Sequence, residues 1–201
     1  MARPKAKDHD DKRNMILSTA AAVFAKTGIA GTSMNDVAKA CGISKPNIYH
    51  YCGSKNELVF VILDTYLSAL KDRISSLDLS GKTAQEQLGA LTTEFLLAYD
   101  GMDNEHKIQT EGVPLLPIEQ QTILKGYQRD MVQIMANTIA ACAPDDMANN
   151  PAKCRDVTMS VFGMLNWFYL WSPGADETKR LAYAQTVTDL VLNGMNGPSD
   201  P

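Results

Sequence analysis

The sequence predicts an all-α fold of about nine helices, with a three-helix head and a larger helical body. Three observations carry this. Apolar residues recur at helical spacing along nearly the whole chain. No Asn-Gly or Asp-Gly turn sits between alternating apolar and polar runs, so hairpins are not signalled. Aromatic residues make up only 7% of the chain while Ala, Leu and Met are plentiful, a balance that favours helices over strands.

Each element can be placed in turn. Over 12–26, Ile16, Ala20, Val23 and Phe24 share one face, and Gly28 stops that helix. Ser33 with Asp36 caps a short second helix that buries Val37, Ala38 and Cys41 and ends at Gly42. Ser44 caps a third, with Pro46 tolerated in its first turn and Gly53 at its end. Ser54 with Glu57 opens a long helix over 54–77 carrying Ile62, Tyr66, Leu70, Ile74 and Leu77. Thr83 with Glu86 opens a fifth, with Leu88, Leu91, Phe95 and Tyr99. Gly101, Gly112 and Pro114 leave 100–116 irregular, with room for one short helix near 105–111. Pro117 starts a long helix through Ile123, Leu124, Tyr127, Met131, Ile134 and Met135, which Pro144 ends. A loop over 144–151 precedes an apolar helix at about 152–171, then the turn Ser172-Pro173-Gly174 and a last helix at about 176–195. The head spans 1–53 and the body 54–196, with the helix at 54–77 connecting them, and the tail 197–201 is expected to be disordered.

Charge separates the two parts. The net charge is −4, yet the first 60 residues carry nine basic against five acidic side chains and the remainder ten against eighteen. A basic head on an acidic body is what a chain needs if only one end approaches phosphates. No stretch reaches the roughly 18–20 apolar residues of a membrane span, and the charged start does not resemble a secretory signal. A cytoplasmic location without membrane contact is therefore expected. Cys41, Cys52, Cys142 and Cys154 form no C-x-x-C pair, and His9, His50 and His106 are scattered, so neither a metal nor a cofactor is expected.

The segment from Asp36 to Tyr49 has the logic of a helix-turn-helix. Ala38 is small where two helices cross, Gly42 can take the positive φ of a tight turn, and Ile43 plugs the space between the helices. Ile48 faces inward, which leaves Lys45, Asn47, Tyr49 and His50 outward on a helix that fits a major groove. An ordinary helical hairpin with a solvated face has the same pattern, so the motif alone does not decide.

Its surroundings do. Gly28-Ile29-Ala30-Gly31-Thr32-Ser33-Met34-Asn35-Asp36-Val37-Ala38, then Gly42-Ile43-Ser44-Lys45-Pro46-Asn47-Ile48-Tyr49-His50-Tyr51 and Ser54-Lys55-Asn56-Glu57-Leu58, closely resemble the TetR family signature over about residues 12–60. Cys52 departs from it, standing where the family usually has Phe, and implies a looser contact between the third and fourth helices. The resemblance implies DNA contacts from Ser44, Lys45, Asn47, Tyr49, His50 and Lys55, with Thr32 or Ser33 at a phosphate. Asn47 could pair with adenine, Lys45 could reach guanine or a phosphate, and Tyr49 and Lys55 would hold the backbone. The basic run 3–7 reads as a minor-groove arm or as a solvated tail.

The resemblance also implies a homodimer built on the last two helices, for which Leu165, Phe168, Val187 and Val191 are the candidates. A second implied feature is a pocket for a small effector. Phe95, Tyr99, Tyr127, Met131, Phe162, Asn166 and Trp167 are the candidates, against the competing reading that this aromatic stripe is only packing. Gly163, Asn166 and Trp167 together look like the acyl-CoA-sensing regulators of fatty-acid, aromatic-acid and sterol breakdown, with Lys107, Lys125, Arg129 and Arg155 as candidate basic partners. The expected function is thus a ligand-released repressor of a palindromic operator on double-stranded DNA. A DNA-binding regulator without effector is the alternative. A hydrolase is the rival from another class: Gly42-Ile43-Ser44-Lys45-Pro46 approaches G-x-S-x-G, but Pro replaces the second Gly and no strand precedes it.

Overall fold

The computed structural model describes the backbone of residues 3–195 and the side chains from Asp10 to Met195, and its described residues form helices with no strand. The tail 197–201 lies outside them. In chain order the helices are α1 (Arg3–Thr27), α2 (Met34–Ala40), α3 (Lys45–Tyr49), α4 (Lys55–Ser75), α5 (Ala84–Ala98), α6 (Asp103–Gly112), α7 (Ile118–Cys142), α8 (Asp145–Ala148), α9 (Pro151–Trp171) and α10 (Glu177–Met195), with a 3-10 turn at Val113–Leu115. The all-helical class expected from the periodicity is what forms.

Two elements differ from expectation. Helix α1 begins at Arg3 rather than near 12, because Pro4 falls in the first turn, where its missing N–H loses no bond, and no Gly follows before Gly28. The basic run 3–7 is therefore helical backbone and not an extended arm. Helix α8 occupies part of the expected loop: Pro144 O accepts from the Met147 and Ala148 amides at 3.0 and 2.8 Å, and Met147 is buried. Four residues are too few to show a helical period, so α8 is not legible in the sequence.

The caps form largely as read. Thr83 and Glu86 make a complete capping box on α5. On α4, Ser54 Oγ accepts from the Glu57 amide at 3.1 Å, but the Glu57 carboxylate reaches back to the Gly53 amide at 2.8 Å.

The helices group into two compact units. One holds the chain up to Ser68 together with Met102–Lys125, and the other holds Ala69–Gly101 and the chain from Gly126. In the first, Ile16, Ala20, Phe24, Ile29, Val37, Ala38, Ile48, Leu58 and Leu63 are buried, and α6 packs on α1. Cys52 is buried in this core, which pushes its thiol pKa up. Tyr66 Oη lies 2.9 Å from His106 Nδ1, a buried contact between α4 and α6. Gly112 closes α6 against the same core. A Cβ there would stand 3.1 Å from Leu63 Cδ1 and Val59 Cγ1 and 3.2 Å from Ile29 Cδ1. Gly112→Ala is therefore expected to destabilise the protein by about 1–2 kcal/mol through overpacking, read as a lower thermal midpoint; an unchanged midpoint would show that α6 can shift freely.

In the second unit α5 lies chiefly against α10, and α9 touches both. Leu88, Leu91 and Phe95 of α5, Val161, Leu165 and Phe168 of α9, and Ala184, Val187 and Val191 of α10 form its core. Arg180 is buried among them. Its Nε donates to Ala175 O at 3.1 Å, one terminal nitrogen donates to Leu96 O at 3.0 Å, and the other pairs with Asp100 at 3.2 Å. Leu96 O is among the carbonyls that the end of α5 leaves without a helical partner, so the guanidinium caps that helix.

Candidate nucleic-acid interface

The head is built by three local devices. Ser33, with extended backbone at φ −99° and ψ 159°, caps α2. Its hydroxyl accepts from the Asp36 amide, while the Asp36 carboxylate accepts from the Ser33 hydroxyl and amide. These two donors hold the Asp36 carboxyl below its usual pKa. The turn into α3 is a Schellman motif: the Ile43 amide reaches Ala38 O at 3.0 Å and the Gly42 amide reaches Lys39 O at 3.1 Å. Gly42 takes φ +66°, which a side chain would resist. Ser44 then caps α3 through the Asn47 amide at 3.4 Å, with Pro46 in the first turn.

Ile48 is fully buried, whereas Ser44, Lys45, Asn47, Tyr49 and His50 are exposed. Beside them opens a concavity of about 450 Å³ lined by the α1–α2 turn, Ser33, Asn35, Lys45, Tyr49 and Lys55. Asn35 was missed because it lies inside the capping box, where its sequence position signals only helix. The head therefore offers a row of donors and acceptors on one short helix, next to a hollow rimmed by a cation and a phenol.

Two sequence candidates are placed otherwise. Thr32 is 3% exposed, and its hydroxyl donates to Gly28 O at 2.8 Å, so Ser33 is the accessible member of that pair. Lys55 turns inward: its Nζ donates to Ile29 O at 2.8 Å and to Thr32 O at 2.9 Å. The side chain is half-buried and also lines the concavity with Lys45 and Tyr49.

In the body, Tyr99 Oη donates to Asn166 Oδ1 at 2.9 Å, and the Phe95 and Phe162 rings meet edge-on at 5.3 Å. Burial pushes the Tyr99 phenol well above its usual pKa. Met131 is buried and Tyr127 half-buried on α7. Trp167 is 62% exposed, so it lies on the outside of α9 and not at the edge of that cluster. Lys107, Lys125, Arg129 and Arg155 are all exposed.

The dimer candidates also need correction. Leu165, Phe168, Val187 and Val191 are all buried within one protomer, where α5, α9 and α10 pack together. Phe168 stacks on Tyr183 with ring centres 4.8 Å apart, and the Arg180 guanidinium lies 5.7 Å from the Phe168 ring centre. Sequence periodicity marks an apolar face but not which of two faces a partner covers. The apolar side chains left outside are Met159, Trp167, Leu170 and Trp171 on α9 and Leu181 and Leu190 on α10.

Among the described residues no group of three His, Cys, Asp or Glu could hold a metal, and no helix is long and apolar enough to cross a membrane. An all-helical chain whose head exposes one short helix through a Schellman turn is a DNA-binding transcription regulator in build. The pattern of bacterial regulatory proteins of the tetR family matches residues 16–62, and that of the tetracyclin repressor-like C-terminal domain matches residues 81–195. The chain belongs to the TetR family. It is a regulator and not an enzyme, and Ser44 is a helix cap, not a nucleophile.

One curated relative matches over nearly the full length. The HTH-type transcriptional repressor KstR2 of Rhodococcus jostii (strain RHA1) is 29% identical over 209 residues, covering 98% of this chain and 99% of the relative. A TetR-family transcriptional regulator from Bordetella parapertussis 12822 superposes with TM-score 0.84 at 29% identity, over 94% of this chain and 98% of that one. AibR, crystallised with isovaleryl coenzyme A and operator DNA, superposes with TM-score 0.72 at 21% identity, over 89% and 97% of the two chains, a likeness of fold.

Proposed function

We propose that this protein is a cytoplasmic repressor that holds a palindromic operator as a homodimer and is released by a small apolar-tailed acid bound as its CoA thioester. The observation that carries the DNA reading is the split on α3, where Ile48 is fully buried while Lys45, Asn47, Tyr49 and His50 stand outside. Support for the effector comes from the body. Tyr99 and Asn166 form a polar pair beside the Phe95 and Phe162 rings, the mixture of few polar groups and apolar walls that small-molecule sites use. KstR2 is a transcriptional repressor, and AibR binds isovaleryl coenzyme A. A regulator without effector is the second reading. It is favoured by the same pair, because two groups that satisfy each other also suit a packed core.

The test of the DNA reading is binding measured over a library of operator variants. Asn47→Ala is expected to relax preference at one base pair of each half-site, costing about 1–3 kcal/mol there. Tyr49→Phe is expected to weaken all variants alike, since a hydroxyl on a phosphate positions without reading. Uniform losses for both substitutions would remove the base-reading role from Asn47.

A further inference from the structure

We propose that Arg180 is the positioning residue of the effector site: its buried guanidinium fixes the last turn of α5, so that the Tyr99 hydroxyl meets Asn166. The turn is built with a gap that the arginine fills. The Tyr99 amide bonds Phe95 O at 3.1 Å, but the Asp100 amide, which would ordinarily reach Leu96 O, turns to Leu97 O at 3.2 Å. Leu96 is 0% exposed, so its released carbonyl needs a donor from within the protein. One terminal nitrogen of Arg180 supplies it at 3.0 Å, the other pairs with Asp100 Oδ1 at 3.2 Å, and Nε holds Ala175 O at 3.1 Å. Tyr99 lies between Leu96 and Asp100, the two residues of this turn that the guanidinium grips, and its hydroxyl donates to Asn166 Oδ1 on α9 at 2.9 Å.

Local bonds shape this turn but do not place it against other helices. Arg180 does, because α10 carries it and its guanidinium also lies 5.7 Å from the ring centre of Phe168, two residues beyond Asn166 on α9. One buried side chain thus bears on both helices that carry the Tyr99–Asn166 pair. Charge matters as much as shape. Arg180 is 3% exposed, and its carboxylate partner is Asp100, whose side chain is 67% exposed. A buried guanidinium that loses its carboxylate is costly, so the pair holds the turn as long as Asp100 is charged. The three acceptors belong to different segments, which suits a planar fork and not the point charge of lysine.

This inference deepens the effector reading and rests on it for the ligand alone. Exchange of the Tyr99 hydroxyl proton is measured in the full-length, ligand-free protein through carbon-13 at Cζ, with Tyr99→Phe fixing the assignment. Asp100→Asn keeps the shape and removes the charge. It is expected to quicken that exchange about 10-fold, while the amides of Leu165 and Val187 in the same core, and the Tyr66 hydroxyl beside His106, keep their rates. Arg180→Lys is expected to quicken it at least as much. Isovaleryl coenzyme A, used as the probe, is expected to bind Asp100→Asn about 10-fold more weakly, with operator affinity in its absence unchanged. Equal quickening at Tyr99, Leu165 and Val187 would overturn the proposal, because Arg180 would then only stabilise the core. Unchanged Tyr99 exchange in Asp100→Asn, or equal thioester affinity for both proteins, would overturn it as well. Should Arg180→Lys not fold, Asp100→Asn decides, since that side chain is exposed and its substitution changes no packing. Failure of isovaleryl coenzyme A to bind the unaltered protein would instead remove that thioester from the effector reading, and the hydroxyl exchange would still decide the role of Arg180.

Discussion

Trp167→Glu combined with Leu190→Glu is expected to yield a folded monomer whose affinity for a full palindromic operator drops at least about 100-fold. Both side chains are large, apolar and outside, at 62% and 59% exposure, and they stand on the two helices that also expose Met159, Leu170, Trp171 and Leu181. A patch with two tryptophans and a methionine has the composition of an interface core, and scattered single apolar residues would not line up along α9 at 159, 167, 170 and 171. A second copy is the occupant that the half-site logic of a helix-turn-helix demands, because a palindrome is read by two coupled heads. Losing the coupling forfeits the effective concentration of the second head, which sets the size of the fall. Val187→Glu gives the contrast. Val187 is 0% exposed inside α5, α9 and α10, so a carboxylate there is expected to unfold the second unit and not merely to separate protomers. Sedimentation, circular dichroism and operator binding distinguish these outcomes. A Trp167→Glu, Leu190→Glu protein that stays dimeric and binds as before would place the interface elsewhere.

What the sequence could and could not reveal follows from which interactions are local. Ser33 with Asp36, Ser44, Thr83 with Glu86, and Gly28 and Gly42 act within a few residues of themselves, and all form as read. The buried set on α1, α2 and α3 was legible too, since Ile16, Phe24, Val37 and Ile48 follow the helical period and the family signature fixes their order. The failures are long-range. Nothing near Lys55 in sequence reveals that Ile29 O and Thr32 O lie within reach of its ammonium. Arg180 carries no sequence signal of its role, because the Leu96 carbonyl that it caps on α5 lies 84 positions away. On α9 the residues Leu165 and Trp167 are both apolar, and only the packing of α5 and α10 decides that Leu165 is inside and Trp167 outside. The pairing of Tyr99 with Asn166 across 67 positions was expected as a convergence of polar and aromatic groups, but its hydrogen bond could not be read from either residue alone.

That pair carries the second large expected effect. Titration with acyl-CoA thioesters is expected to lower operator affinity about 5- to 150-fold, the usual range of coupling between two sites. Tyr99 is buried with its hydroxyl on Asn166 Oδ1, and the Phe95 and Phe162 rings stand beside it. A thioester or acyl oxygen entering there can accept the Tyr99 hydrogen bond only by displacing Asn166, whose amide must then turn to a new partner. Because buried polar groups left unmatched cost about 1–3 kcal/mol each, the exchange is enough to favour one packing of α5 and α9 over another. Release follows only if the ligand prefers the packing that DNA disfavours, since equal affinity for both shifts nothing. Helix α4 is one continuous element from Lys55 in the head unit to Ser75 in the body unit, and it gives such a change a covalent route. The combined change Tyr99→Phe with Asn166→Leu removes both polar groups while keeping their bulk. It is expected to reduce the ligand effect to near onefold, measured against that variant's own ligand-free affinity. Reciprocity supplies the stricter measurement: saturating operator must weaken thioester binding by the same factor by which thioester weakens operator binding. A response that survives the double substitution would move the pocket away from α5 and α9. Short, long and aromatic thioesters that all leave operator affinity untouched would remove the effector and leave Tyr99 and Asn166 as a polar clasp within a packed core.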